Sequence, residues 1–289
     1  MIEPFLDLII CPRCGTSLEN HSSKSWNCPA CAMEIPIIHG KPIFTPVPDE
    51  IIPSEKLPRS ADSGSRWRQA NWKFLEREVQ KLTPQAKILD VGCGRGDFSL
   101  LFSGHPFLEL DIYPYPEVDV VCDLSSCVPF RENSFDAIAL LNVIEHVPDS
   151  LSLLQVVYRL LAPGGCALIS IPFMLKIHQA PVDYVRFTHF ALEAMANKIG
   201  FQVEGVEGFV DPAGLIVEAA RYYHFWELPE FNFFQRIIAR LFLFDIGVNA
   251  FFLELFSGRG QLMDANLMKY PAPTGYQLVL RKPFHGKHA

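Results

Sequence analysis

The stretch ILDVGCGRGDFS, residues 88–99, constrains this chain more than any other. A short apolar run, KILDV (87–91), ends in three glycines at alternating positions, Gly92, Gly94 and Gly96, and DFSLLF (97–102) then starts a helix. Strand, glycine turn, helix is how an α/β sheet cradles a cofactor: glycine reaches positive φ without strain and lets a ligand approach the backbone closely. The spacing narrows the ligand. The dinucleotide fingerprint G-x-G-x-x-G is not met, because the third glycine comes one residue early and Asp97 follows it. The loop does not read G-x-x-x-x-G-K-[ST] either, so it is no triphosphate loop. Asp90, two residues before the first glycine, would repel a pyrophosphate and suits a cationic ligand.

The chain has 289 residues, 49% of them hydrophobic, which fills one α/β core and leaves room for a small accessory module. The formal net charge is −7 and no Lys/Arg run occurs, which argues against non-specific nucleic-acid binding. Four of the eight cysteines form two C-x-x-C pairs, CPRC (11–14) and CPAC (28–31), separated by 13 residues. Two such knuckles put Cys11, Cys14, Cys28 and Cys31 at the corners of a tetrahedron, a set that suits Zn2+. Short loops cannot fold alone, so the metal supplies the folding energy, and four thiolates leave no open position for chemistry. Cys93, Cys122, Cys127 and Cys166 sit in apolar or turn segments, where they pack as small residues. This usage points to a reducing compartment rather than a disulfide framework. The opening MIEPFLDLIICPRC lacks a basic n-region and its apolar run stops at Cys11, so a cytoplasmic protein without a secretory signal is expected.

The expected layout is a zinc ribbon over 1–45, a proline-rich linker over 46–65, and one larger domain over 66–289 that opens with an amphipathic helix, RWRQANWKFLEREVQKL (66–82). The N-terminal module, with MEIPIIHGKPIF (33–44) after its second knuckle, resembles the zinc-ribbon domain that partners several tRNA and protein methyltransferases. The matching positions are Ile35, Pro36, Ile37, Gly40, Pro42 and Ile43.

DVGCGRG resembles the first motif of the class I S-adenosylmethionine (SAM) methyltransferases, and further pieces of that family's pattern follow in order. LELDIYP (108–114) resembles the second strand, VVCDLSSCVPF (120–130) the third strand and turn, NSFDAIALLNVIEHV (133–147) the fourth strand and its loop, and LLAPGGCALISIPF (160–173) the fifth strand with its preceding turn. The resemblance implies a Rossmann-like α/β fold: a seven-stranded sheet whose last strand is antiparallel. It implies a SAM site made by Asp90, Gly92, Cys93, Gly94 and Gly96 in the first loop. Asp111, with Ile112 beside it, would accept hydrogen bonds from the ribose hydroxyls. Asp123 would bind the adenine amino group with Leu124 against the ring, and Asn142 would stand at the end of the fourth strand. SAM carries a sulfonium and no phosphate, which agrees with the acid beside the glycines.

Downstream, MLKIHQAPVDYVRFTHFALEAMANKIGF (174–201) crowds His178, Pro181, Asp183, Tyr184, Arg186 and Thr188 into eleven residues, and Thr188 and Gly200 bracket a helix. The cluster resembles a methyltransferase subgroup with many members in glycan and related small-molecule pathways. Methyl transfer needs positioning above all, and an oxygen or nitrogen acceptor also needs a base, for which His178 and His146 have the right chemistry. Asp183 and Arg186 either bind substrate or pair with each other. GFQVEGVEGF (200–209) and GYQLVLRKP (275–283) read as the last two strands, with an aromatic-rich helical insertion at about 210–274 between them. Arg240, Asp245, Asn249 and Glu254 interrupt its most apolar stretch, 237–256, so it is not a spanning helix. A cap on the sheet, a homodimer surface, a substrate lid and membrane-surface contact remain open for it.

The leading expectation is a SAM-dependent methyltransferase acting on a small-molecule or glycan-type acceptor. The alternatives are a methyltransferase for ribosomal RNA bases or for protein, and, in a different class, a non-catalytic binding module on the same fold.

Overall fold

The computed structural model describes residues 2–19, 22–47, 64–209, 262–263 and 273–284, together with the single positions 232, 234, 237, 241 and 248. The expected linker and the insertion at about 210–274 therefore lie almost wholly outside the described residues.

The main sheet is built from β4 (Ile88–Val91), β5 (Phe107–Asp111), β6 (Val120–Val121), β7 (Phe135–Leu141), β8 (Leu161–Pro172), β9 (Gln202–Phe209), β10 (Leu262–Met263) and β11 (Gly275–Arg281). Their order across the sheet is β10-β9-β11-β8-β7-β4-β5-β6. The strands from β6 to β8 pair in parallel, whereas β11 runs antiparallel to both β8 and β9. This is the expected seven-strand arrangement with an antiparallel final strand; the two-residue β10 is added outside β9. The apolar runs of ILDV and FDAIALL follow from burial on both faces, which removes any need for polar alternation. The fold is Rossmann-like α/β, as in the class I methyltransferases.

Strand order reverses at β4: the chain continues outward through β5 and β6, then returns to the other side of β4 as β7. Ligands of open α/β sheets bind outside the carboxyl ends of the strands at such a reversal. The glycine loop leaves β4 at this point.

Helix α1 (Arg66–Val79) starts at Ser65, whose side chain accepts a hydrogen bond from Arg68 N. Only a short α2 (Ser99–Phe102) follows the glycine loop, then α3 (Ser150–Leu160) and α4 (His189–Ile199). The Thr188 side chain caps α4 through Ala191 N, and Gly200 ends it at φ 108°, as the sequence predicts. No helix among the described residues is long and apolar enough to cross a membrane.

The N-terminal unit carries a three-stranded antiparallel sheet, β1 (Ser25–Asn27), β2 (Glu34–Ile38) and β3 (Lys41–Pro42). It packs on the main sheet at β6. Phe44 N donates to Val121 O at 2.9 Å, and Ile43 makes a parallel bridge with Val121. Ile10 N donates to Pro129 O, and Arg131 N to Leu8 O. Phe5, Ile9, Trp26 and Ile35 belong to the same buried cluster as Leu108, Phe130 and Phe135, and Phe5 stacks on Phe135 with centroids 6.2 Å apart. One apolar core thus runs from the cysteine-bearing unit into the α/β sheet.

Candidate cofactor and acceptor site

At the carboxyl end of β4 the backbone turns through Gly92 (φ 70°) and Gly94 (φ 56°). A Cβ on Gly92 would lie 2.5 Å from Val143 Cγ2, so this position excludes a side chain on two grounds. Asp111, at the end of β5, holds the loop: Gly94 N donates to Oδ2 and Tyr113 N to Oδ1, each at 2.9 Å. Burial raises the Asp111 pKa and the backbone donors oppose that rise.

These elements form one wall of a cleft of about 610 Å3. Of the residues expected to bind the cofactor, Gly92, Gly94, Asp111 and Ile112 line it on this side, and Asp123, Leu124 and Asn142 line it further along. Asp90, Cys93 and Gly96 do not. The Asp90 carboxyl is buried behind the wall that Val91 and Gly92 make, and burial together with Glu109, Asp111 and Asp97 pushes its pKa well up. Burial, together with Asp90, Asp111, Glu109 and Asp119, pushes the Cys93 thiol up as well. Gly96 serves the turn, its N donating to Cys93 O at 3.0 Å.

The Asp123 loop is fixed from two directions. Its own Oδ1 accepts from Ser125 N and Oγ at 2.8 and 2.6 Å. Its backbone N donates to Thr45 Oγ1, on the N-terminal unit, at 2.9 Å. Asn142 stands at the end of β7 with φ 56°, a conformation asparagine tolerates, and its Oδ1 accepts from Trp67 Nε1 at 3.1 Å. Three carboxylates, Asp97, Asp111 and Asp123, line the cleft, whereas no lysine or arginine does among the described residues.

His146, Gln179 and Tyr184 close the other end. His146 ends a single 3-10 turn, Ile144–His146, after β7. Its Nδ1 lies 2.5 Å from Val182 O, its Nε2 3.6 Å from Glu145 Oε1, and its ring meets His178 edge-on with centroids 4.8 Å apart. His178 does not line the cleft; its Nε2 is 3.7 Å from Glu145 Oε1 and its Nδ1 3.2 Å from Asp183 Oδ2. Asp183 and Arg186 pair with each other, Nη1 to Oδ1 at 2.5 Å and Nη2 to Oδ2 at 2.8 Å, and neither reaches the cleft. The guanidinium holds the Asp183 carboxyl well below the usual range, and Asp183 also accepts from His178 N at 2.8 Å. The mutual pairing that the sequence offered as one reading of these two residues is thus present.

Sequence reasoning missed Glu145, Tyr113, Tyr115, Gln179 and Tyr184 as site residues. Glu145 carried a signal, its place beside His146 in IEHV; the two tyrosines follow Asp111 within four residues. Tyr184 stood within the polar cluster at 178–188, and Gln179 carried no signal before the loop was folded.

In the N-terminal unit the four sulfurs converge, with Cys11 Sγ 3.5 Å from Cys31 Sγ and Cys14 Sγ 3.4 Å from Cys28 Sγ. All four lie within 4.8 Å of one another. A tetrahedral ion with bonds of about 2.3 Å sets sulfurs about 3.8 Å apart, so the set fits Zn2+ with little movement.

The fold and the cleft define the class, and comparison with known proteins agrees. The family described as methyltransferase domain matches residues 65–206. Residues 65–206, just under half of the chain, are thus similar to that family's domain. It is 27% identical over 198 residues to a probable S-adenosylmethionine-dependent methyltransferase of Mycolicibacterium smegmatis, covering 61% of this chain and 77% of that one. It is 26% identical over 111 residues to a demethylmenaquinone methyltransferase of Lysinibacillus sphaericus, covering 32% of this chain and 47% of that one. The chain thus spans about half the length of the demethylmenaquinone methyltransferases it matches. Among solved structures, a sarcosine dimethylglycine methyltransferase from Galdieria sulphuraria aligns with TM-score 0.48 at 16% identity, covering 77% of this chain and 89% of that one.

Proposed function

We propose that the chain transfers the methyl group of SAM to a small-molecule or glycan-type acceptor held at the His146 end of the cleft. The single observation that carries the reading is the wall of Asp97, Asp111 and Asp123, with no lysine or arginine among the described residues, placed at the strand reversal beside positive-φ glycines. Such a wall repels phosphate and attracts a ligand carrying a sulfonium and an ammonium. Gly92 and Gly94 leave room for close approach, Asp111 is placed for the ribose hydroxyls, and Asp123 and Leu124 for the adenine. When bound, SAM supplies a methyl group already activated for displacement. The chain's own residues then have to align the acceptor, exclude water and deal with its proton. The cluster of Glu145, His146 and His178 is the set of groups in place for that last task. Asp183 and Arg186 position it rather than touch substrate.

The small-molecule reading is supported by the net charge and by relatives named for a demethylated menaquinone. RNA binding would want a basic surface. We assign Zn2+ to Cys11, Cys14, Cys28 and Cys31, where it ties the unit that braces β6 and the Asp123 loop.

The test is isothermal titration of SAM and S-adenosylhomocysteine into wild type and Asp111→Ala. Both ligands are expected to bind wild type. Absence of binding to folded, zinc-loaded protein would leave a non-catalytic module on this fold. Salt-sensitive RNA binding in place of small-molecule turnover would move the acceptor to nucleic acid.

A further inference from the structure

The Glu145–His146–His178 cluster has a feature that acid–base chemistry alone does not explain. The Glu145 side chain is fully buried, and neither carboxylate oxygen accepts a hydrogen bond among the described residues. A buried carboxylate left this way is costly unless a cation meets it. The two imidazoles do not meet it as proton donors. Val182 O can only accept, so His146 Nδ1 carries the proton of that contact, and in the neutral ring Nε2 is left as a lone pair. His178 Nδ1 stands 3.2 Å from Asp183 Oδ2 and 3.4 Å from Arg186 Nη2; in the tautomer that donates to the carboxylate, its Nε2 carries the lone pair. Both Nε2 atoms point at Glu145 Oε1 across 3.6 and 3.7 Å, too long for a hydrogen bond. With those tautomers, three electron-pair donors converge within 4.8 Å of one another.

That geometry suits a metal ion. Ligands about 2.1 Å from a tetrahedral ion lie about 3.4 Å apart, close to the separations seen. Metal-bound histidines donate their other N–H to a carbonyl or a carboxylate, and here His146 uses a carbonyl and His178 a carboxylate. Arg186, whose terminal nitrogens are taken up by Asp183, keeps that carboxylate from joining the set.

We propose that Glu145, His146 and His178 bind a divalent first-row transition cation, Zn2+, Co2+ or Mn2+, as a two-histidine, one-carboxylate site. Three protein ligands leave open positions, and His146 lies on the cleft wall, so those positions are within reach of the acceptor. The site then assigns an acceptor class to the proposed methyl transfer, on which this part of the inference rests: a hydroxyl compound whose oxygen enters an open position. The acceptor O–H proton leaves to solvent as the oxygen binds. The oxygen pair forms the new C–O bond, the C–S bond breaks, and sulfur keeps the pair as S-adenosylhomocysteine. The imidazoles are ligands in this scheme and not bases.

The test is titration of Co2+ into the full chain holding one zinc per chain, at the four cysteines, followed by calorimetry and visible absorption. One Co2+ per chain is expected, with ligand-field bands and without the thiolate charge-transfer band that exchange into the four-cysteine site would give. His178→Ala is expected to weaken binding by on the order of 100-fold, and Asp183→Asn by about 10–100-fold through the ring it orients. His178 is part-exposed, so its variant tests the site even where Glu145→Gln fails to fold. No Co2+ beyond thiolate exchange, or equal affinity in wild type and His178→Ala, overturns the inference. Titration of SAM into the same samples separates the two readings. SAM binding without Co2+ keeps the methyltransferase and removes the metal; Co2+ binding without SAM does the reverse.

Discussion

The two ends of the cleft are built on opposite plans. At the cofactor end, strand termini carry the site and backbone groups hold it: Gly94 N and Tyr113 N on Asp111, Ser125 N on Asp123. At the end where we propose that the acceptor binds, a loop carries the site and side chains largely hold it, with Arg186 on Asp183 and Asp183 on His178, and one backbone group, Val182 O, against His146. Backbone anchors depend on where the strands end, which the core fixes. Side-chain anchors depend on each other and can be changed one at a time. The cofactor end should therefore tolerate little, whereas the acceptor end can be retuned without disturbing the sheet.

The contrast can be tested from the largest effect downward. Chelating the zinc assigned to the four cysteines should lower the melting temperature more than any single substitution, because Phe5, Ile9, Trp26 and Ile35 share the main core; differential scanning calorimetry with and without chelator reads this. Next, Asp111→Ala should cost about 1.5–3 kcal/mol of SAM affinity by titration, the usual worth of hydrogen bonds to a charged group. A smaller loss would mean that the backbone donors, not the ribose, are what this carboxylate serves. Gly92→Ala should cost about 1–3 kcal/mol of stability in urea melts, from the φ of 70° and the approach to Val143, and should weaken SAM binding with it.

Asp183→Asn should leave SAM affinity near wild type while turnover falls, since the pair acts only at the acceptor end. The same variant has a pH signature. The folded pKa of Asp183 is depressed, so its contribution to stability is full above the ordinary carboxylate pKa of about 4 and drains as pH falls toward the folded value. Wild type and Asp183→Asn melts should stand furthest apart above about pH 5 and draw together steadily as pH falls through the ordinary carboxylate range toward the depressed folded value. Thr45→Ala should be the mildest, about 0.5–1.5 kcal/mol for one lost hydrogen bond, read out in stability and in SAM affinity through the Asp123 loop.

How far the sequence carried follows the same division. KILDV with its glycines, Thr188 and Gly200 around α4, and the two C-x-x-C pairs are local signals, each complete within about twenty residues, and each appears in the structure where the sequence put it. The charge argument for Asp90 was local too, but the cleft wall at this point is Val91 and Gly92, and neighbouring acids with burial raise the Asp90 pKa. Nothing in residues 145, 146 and 178 taken singly says that their ring nitrogens and carboxylate converge. That depends on how the 174–188 loop returns over the turn after β7, with Tyr184 N donating to Glu145 O. Thr45 was hidden for the same reason: it lies 78 positions before the Asp123 amide it accepts from.

The short strand β6 would end the main sheet with unpaired backbone groups, a template for strands of other molecules. The N-terminal unit covers that border, with Phe44 N on Val121 O and Ile43 alongside. Under the zinc assignment proposed above, the four cysteines would govern solubility as well as shape. A chain stripped of that metal is then expected to self-associate at concentrations where the metal-loaded molecule stays dispersed, and metal scarcity to show first as turbidity.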